Sequence, residues 1–572
     1  MRQSKIILFL LIAMALGSSR AIAFPRSKAD MHRIAEQVLT TKLPQLKANK
    51  QQTLQLKEVY QQDEFSIIEA QGHGFVIVRS DDSPSPVLAY SSQSYDANQM
   101  PDGFKWWLST IQKSLKSNKG LAMTPTTYTP VENLLATQWG QGDPYNSLCP
   151  TSDGKPMPTG CVATAMAQIL YYFRYPAQGE GQGAYTIGTA VAPIRKPVEG
   201  VYNYDLMLTR YKSSNATDEQ KEAVAILMRD LGLASRMAYE KGGSGALSNF
   251  SAQGLVNNMG YDSLAMHSYF REWFDTEEWM TMVASELRAG RPIFYGALDA
   301  TYGGHAFVIS GIDENGLVYV NWGWEGKADG YYDIKALNPS DNGKPLGDSY
   351  KDSQNMIFGF RCSKEPLPDS KYVHHIISNS EDFTATATVK NYITLTCPEV
   401  YNQSFLTFYG SIGFLIQSLE DDAIQMYSEG YTTAKKGKLS VYEGIGKVSK
   451  LTSVSSLPAG KYRIMCVAKA LQQDTYQPIR QIGGLKYIDM TKEQSGVITF
   501  EPIQHFTDGI DDISISYTNQ GYRDSESSIT YIYDLQGHLL HAVPTISFNL
   551  WDIPERGILV IKQGDKVKKV VR

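Results

Sequence analysis

The segment TGCVATAMAQILYY, residues 159–172, sets a single cysteine at the head of an amphipathic run. Val162, Met166, Ile169, Leu170 and Phe173 recur at intervals of three and four, which predicts a helix beginning near Cys161 with one apolar face. Thr159 is the expected N-cap, and Pro176 lies beyond the far end. A thiol in that first turn meets unpaired backbone N–H groups and the positive end of the helix dipole, and both favour thiolate. With a basic partner such cysteines titrate at roughly 3.5 to 7.5. A buried structural cysteine would fit the same pattern, so a nucleophile has to be argued from its base.

Between Val131 and Arg361 there are two histidines, His267 and His305. His267, in LAMHSYFREWF, reads as an ordinary helix or loop residue. His305, in TYGGHAFVISGIDENGLVYVNWGWEG, follows two glycines that allow close backbone approach and opens a strand. The chain then turns at DENG and returns as LVYVNW, a hairpin that predicts Asn321 or Trp322 within reach of the imidazole. An amide oxygen there would fix the tautomer and orient the ring, and an indole would cover the pair from water. Acyl transfer also requires donors aimed at the developing oxyanion. One is the backbone N–H of Cys161, and a second is Gln141, between two glycines in TQWGQGDPYN. The plainer readings are a packed hairpin histidine and a surface glutamine in a turn.

These residues need several folded elements to bring them together. The 572-residue chain is long enough for about three or four domains. Residues 1–23, with Arg2 and Lys5 before an apolar stretch and an A-x-A site at Ala21 and Ala23, read as a secretory signal peptide. In residues 24–125, KADMHRIAEQVLTTKL and GFKWWLSTIQKSLKS predict helices on either side of the short strands of FSIIEAQGHGFVIVRSDDSPSPVLAYS. A Thr/Pro-rich linker at 118–130 is a predicted processing site. Residues 126–366 mix helix and strand patterns. Residues 367–504 alternate in the manner of an immunoglobulin-like β-sandwich, and 505–572 form a further small β module. Five scattered cysteines do not make a disulfide scaffold, and their odd number leaves at least one thiol free. A net charge of -5 with no long basic run before the last few residues argues against nucleic-acid partners. No HExxH, paired CxxC or phosphate-binding glycine loop is present, so neither a metal nor a nucleotide cofactor is predicted.

GQGDPYN, TGCVATAMAQILYYF, GGHAFVISGID and VNWGWEGKADGYY, in this order and spacing, resemble the motif set of the streptopain family of papain-like cysteine proteases, most closely its interpain-type multidomain members. The resemblance implies an α+β fold: a papain-like catalytic domain, preceded by an α+β inhibitory propeptide and followed by Ig-like β-sandwich modules. Carried over motif by motif, it implies Cys161 as nucleophile, His305 as general base, Gln141 at the oxyanion, and Asn321 and Trp322 closing over the histidine. The chain reads NWGW where the wider papain pattern separates asparagine and tryptophan, so the division of roles among Asn321, Trp322 and Trp324 stays open. An apolar S2 pocket is also implied, with YEKGGSGALSN (239–249) as a candidate rim. The tail, through YIYDLQGHLL and GILVIKQGDKVKKVV, resembles a type IX secretion sorting domain, which implies a secreted or surface-attached protein and the secretion machinery as a partner. The expected activity is that of a secreted endopeptidase made as a zymogen, with protein substrates and its own propeptide as intramolecular inhibitor. The alternatives are a papain-like amidase or transglutaminase, and a surface adhesin with a silent protease domain.

Overall fold

The computed structural model describes residues 24–43, 54–117, 127–190, 192–299, 303–337, 354–362, 374–380, 382–471, 473 and 475–506, the pairs 340–341 and 344–345, and the backbone of strands between 515 and 571. The expected signal peptide and most of the expected linker lie outside the described residues, as does part of the tail's YIYDLQGHLL motif.

Six elements make up the leader: α1 (Lys28–Lys42), β1 (Leu56–Gln61), β2 (Phe65–Ala70), β3 (Gly74–Arg79), β4 (Val87–Ser91) and α2 (Asp102–Ser117). Ser27 caps α1 by accepting the Asp30 amide, and Met31, Ile34, Ala35 and Leu39 bury one face against Ile68, Val76 and Val78 of β2 and β3. Each buried aliphatic side chain there contributes about 1.5 to 3 kcal/mol. Both predicted helices are present, and the quoted strand segment forms β2, β3 and β4.

The following region carries α3 (Cys161–Phe173), α4 (Asp218–Ala234), α5 (Ser248–Asn257), β5 (His267–Phe270), α6 (Thr276–Arg288), β6 (Ile293–Asp299), β7 (Gly303–Ile312), β8 (Val318–Asn321), β9 (Gly330–Tyr332) and β10 (Asn355–Phe358). Two compact units divide the chain, 1–133 with 309–339, and 134–308 with 340–572. In the first, the leader strands continue through β4 into β9 and β8, with Ser91 opposite Gly330 and Ala89 opposite Tyr332. The turn between β7 and β8 closes at DENG as expected, where the Gly316 amide donates to the Asp313 carbonyl.

In the second unit, β6 and β5 flank β10 antiparallel, and α3 is the central helix. Every residue from Val162 to Leu170 is buried, so α3 is enclosed on all sides rather than along one stripe. Ala163, Ala165 and Ala167 explain the difference: small side chains let neighbours approach the faces that the spacing of the large residues leaves unmarked.

The β-sandwich belongs to this second unit. One of its sheets holds β11 (Ile376–Ser378), β12 (Thr384–Val389), β13 (Tyr392–Asn402) and β16 (Gly444–Ser453); the other is built on β14 (Gly410–Ser418), β15 (Ile424–Thr432), β17 (Gly460–Ala470), β18 (Thr475–Pro478) and β19 (Lys486–Lys492). The Arg480 guanidinium makes a bidentate pair with Glu278 of α6 (2.8 and 3.0 Å), and His375 lies on the Tyr269 ring of β5 (4.0 Å between centroids). Phe405 of the sandwich is buried in the same cluster as α3 and α4.

Candidate active site

The head of α3 is set by Gly160, not Thr159. Gly160 is the residue before the helix, at φ 86°, and no side chain caps this end. The Thr159 hydroxyl instead pairs with Thr164 Oγ1 (2.9 Å), one turn into the helix. A Cβ at Gly160 would stand 2.8 Å from both Met237 Sδ and the Ser244 carbonyl oxygen, so both the backbone angle and the space require glycine. The same contact lays the 239–249 segment against the helix head. That segment is held as a loop by reciprocal hydrogen bonds between Ala238 and Gly245 (2.8 and 3.0 Å), and it ends at exposed Leu247.

Cys161 is half-buried, and its Sγ lies 3.9 Å from the Gly304 carbonyl oxygen. The Ala306 amide also engages the sulfur, as do the amides of Val162 and Cys161 itself. In an extended strand, the carbonyl of the residue before and the amide of the residue after a given position face the same side. The sulfur therefore sits at the edge of β7 alongside His305, which is itself half-buried. The Cys161 sulfur thus touches the peptides of the residues before and after His305. Exposed Leu298 of β6 lies beside Gly304.

Burial opposes the thiolate that the position at the helix head favours. Burial pushes the Cys161 thiol above its ordinary pKa, and the amides of Ala306, Val162 and Cys161 only partly offset that. The amides at the helix N-terminus favour thiolate, and desolvation is the larger effect here.

Gln141 is half-buried and follows Trp139, whose ring is fully buried and whose indole N–H donates to the Leu208 carbonyl (2.8 Å). The Gln141 carbonyl accepts the Thr159 amide (3.1 Å), and the Trp139 amide donates to Gln168 Oε1 of α3 (3.4 Å). Residues 139–141 are thus fastened along α3 to within two residues of Cys161.

Asn321 and Trp322 fall in the other compact unit. Asn321 is buried, its Oδ1 accepting the Gly323 amide (3.0 Å). Trp322 is buried as well, its indole N–H donating to the Ala328 carbonyl (3.1 Å) and its ring set edge-on to Phe104 of the leader helix α2 (6.4 Å) and Tyr332 (5.1 Å). Trp324 is 37% exposed. Sequence reasoning missed Asp329, a buried carboxyl that accepts the Trp322 amide (2.9 Å) and whose pKa burial pushes up to about 7. Its only signal was an acid in a glycine-flanked turn. His267 begins strand β5, where the sequence suggested helix or loop. Packed on Tyr269 and Phe358, it is pushed down to about 4 by burial, so it is neutral and unsuited to exchange protons near neutral pH. Among the described residues no group of three or more His, Cys, Asp or Glu is placed to hold a metal.

The profile of the peptidase C10 family matches residues 139–332, a span that contains all five candidate residues, and the profile of the Spi protease inhibitor matches 25–115. Streptopain of Streptococcus pyogenes is 32% identical over 318 residues, covering 50% of this chain and 78% of streptopain. The thiol protease/hemagglutinin PrtT of Porphyromonas gingivalis is 26% identical over 481 residues, 79% of this chain and 48% of that protein. A solved fragment of prointerpain A from Prevotella intermedia is 36% identical and covers 54% of this chain and 98% of the fragment, with a TM-score of 0.47. The class is therefore a papain-like cysteine peptidase with an inhibitor-type leader. The chain belongs to the peptidase C10 family, the family of streptopain.

Proposed function

We propose that the chain is the zymogen of an exported cysteine endopeptidase in which Cys161 is the nucleophile and His305 the general base. His305 takes the thiol proton, and the sulfur attacks a peptide carbonyl. The tetrahedral oxyanion is held by the Cys161 amide and Gln141; the C–N bond then breaks as His305 returns the proton to the leaving amine, and water, deprotonated by His305, hydrolyses the thioester and frees the thiol. The observation that carries this reading is the sulfur lying at the head of α3 against the peptides on either side of His305. Asn321 and Trp322 orient and shield His305 in the processed enzyme. The leader restrains them until it is cut: Trp322 packs on Phe104 of α2, and β9 pairs with leader strand β4. Burial that pushes the Cys161 thiol up agrees with an inactive precursor. Exposed Leu298 beside Gly304, and exposed Leu247 in the loop that meets the helix head at Ser244, support an apolar preference at the second substrate residue before the scissile bond.

The leading and trailing segments direct export and outer-surface delivery, the tail through secretion machinery of type IX. The test is casein hydrolysis by the processed chain. Cys161→Ala abolishes it, and a form starting at Met123 is more active than the full chain. Release of peptidoglycan peptides or incorporation of amines without casein cleavage would assign amidase or transglutaminase chemistry instead.

A further inference from the structure

Two thiols that the proposed chemistry does not use face each other inside the β-sandwich. Cys397 lies on β13, where burial alternates so that Ile393, Leu395 and Cys397 point inward. Cys466 lies on β17 in the opposite sheet. There Tyr462, Ile464, Cys466 and Ala468 enter the core that holds Cys397, while Met465 and Val467 enter a separate cluster on the other face. The two cysteines are 0% and 1% exposed, so both thiols are sealed from solvent. Cys397 also acts on its neighbour: the Cys466 thiol is raised well above its ordinary pKa by burial first, then by its hydrogen bond with Cys397. The other three cysteines are placed differently. Cys149 turns its thiol to the Tyr239 hydroxyl (3.9 Å), Cys161 heads α3, and the Cys362 backbone bridges to Tyr261.

We propose that Cys397 and Cys466 are a modification site: they are joined by a disulfide between the two sheets of the sandwich when the chain folds in an oxidising compartment. The two sulfurs form the S–S bond, each thiol losing one proton. The two electrons pass to a protein disulfide or to oxidised glutathione, which is reduced to two thiols as it takes up the two protons. Exchange requires a thiolate at an accessible sulfur. The bridge therefore forms while the sandwich is still assembling, and the folded, reduced protein is slow to acquire it. Once formed it lies where reductant does not reach, so a reducing agent that frees Cys161 leaves it intact. The bond would lock β13 to β17 and restrict the unfolded chain, which stabilises the sandwich without touching the peptidase chemistry.

The test uses the full chain carrying Cys161→Ala, which removes self-cleavage, exported to a disulfide-forming bacterial periplasm. The protein is denatured in excess N-ethylmaleimide, digested without reduction and mapped by mass spectrometry. The expected result is a joined pair of peptides containing Cys397 and Cys466, two hydrogen masses below their sum, with Cys149 alkylated. Alkylation of both Cys397 and Cys466 overturns the proposal. In thermal unfolding, the exported protein has a higher sandwich transition than the same protein denatured, reduced with a phosphine and refolded under reductant, and the Cys397→Ala/Cys466→Ala variant shows no such difference. Equal responses in the two proteins overturn it likewise. Neither readout depends on proteolysis, so failure here leaves the peptidase reading standing.

Discussion

Gly160 governs where the Cys161 sulfur points, because its positive φ starts α3 and its missing side chain leaves room for Met237 and the Ser244 carbonyl. Gly160→Ala adds a methyl group to a backbone angle that disfavours it and to a space already filled; the expected loss is about 2 kcal/mol or more of stability in urea unfolding. Casein hydrolysis falls with it as the thiol moves. Unchanged stability would contradict that account of the helix start. Gln141 is tied by its backbone to Thr159, and its proposed role is tested by rate. Gln141→Ala is expected to lower kcat about 100- to 1000-fold with little change in unfolding, and a change confined to KM would assign it to substrate binding. At this scale the sequence was most legible where residue types were scarce: with two histidines available and only His305 beside a glycine pair and a strand, the histidine whose flanking peptides meet the Cys161 sulfur was readable. The upward push on the thiol was not, because it depends on desolvation by residues remote in sequence, and Thr159 looked like a cap because its bond to Thr164 cannot be told from a cap by spacing.

At the scale of elements, the leader and the β8–β9 hairpin form one sheet, and a buried acid lies within their unit. Asp329 titrates at about 7 in the folded unit and near 3.8 when unfolded. Between those values the unfolded chain binds fewer protons. Its contribution to stability is therefore fully present below about pH 4, lost as pH rises through about 7, and constant above. Asp329→Asn keeps an oxygen for the Trp322 amide and removes the charge. It should flatten that slope and stabilise the leader unit at pH 8 by up to about 4 kcal/mol, measured by urea unfolding at pH 5 and pH 8. An unaltered slope would show that another group carries it. Helices α1 and α2 and strands β2 to β4 were readable because each has its own period and turn residues. The pairing of β4 with β9 was not, since it joins segments more than two hundred residues apart and neither strand marks its partner. The enclosure of α3 was hidden for a related reason, in that alanines carry no periodic signal.

For the whole molecule, the sandwich is fastened to the peptidase core as well as linked to it by the chain. Arg480 and Glu278 are 17% and 12% exposed, and the guanidinium also lies 4.2 Å from the centre of the Phe274 ring. Arg480→Ala leaves a largely buried carboxylate without its partner, at an expected cost of about 3 kcal/mol, and should separate the unfolding of core and sandwich in calorimetry. One unaltered cooperative transition would mean that other contacts hold the two together. The alternating strands made the sandwich legible; its docking was not, because Arg480 and Glu278 read as ordinary surface charges until the fold buries them.

The central claim is that Cys161, activated by His305, performs the chemistry, and trapping the thiol in the leader-free enzyme tests it most directly. Iodoacetamide is added at a rate-limiting dose and labelling is mapped while casein hydrolysis is followed. The account predicts that Cys161 is labelled far ahead of the other cysteines, that activity falls in step with its modification, and that His305→Ala slows the labelling. Proteolysis that persists with Cys161 fully blocked would contradict it.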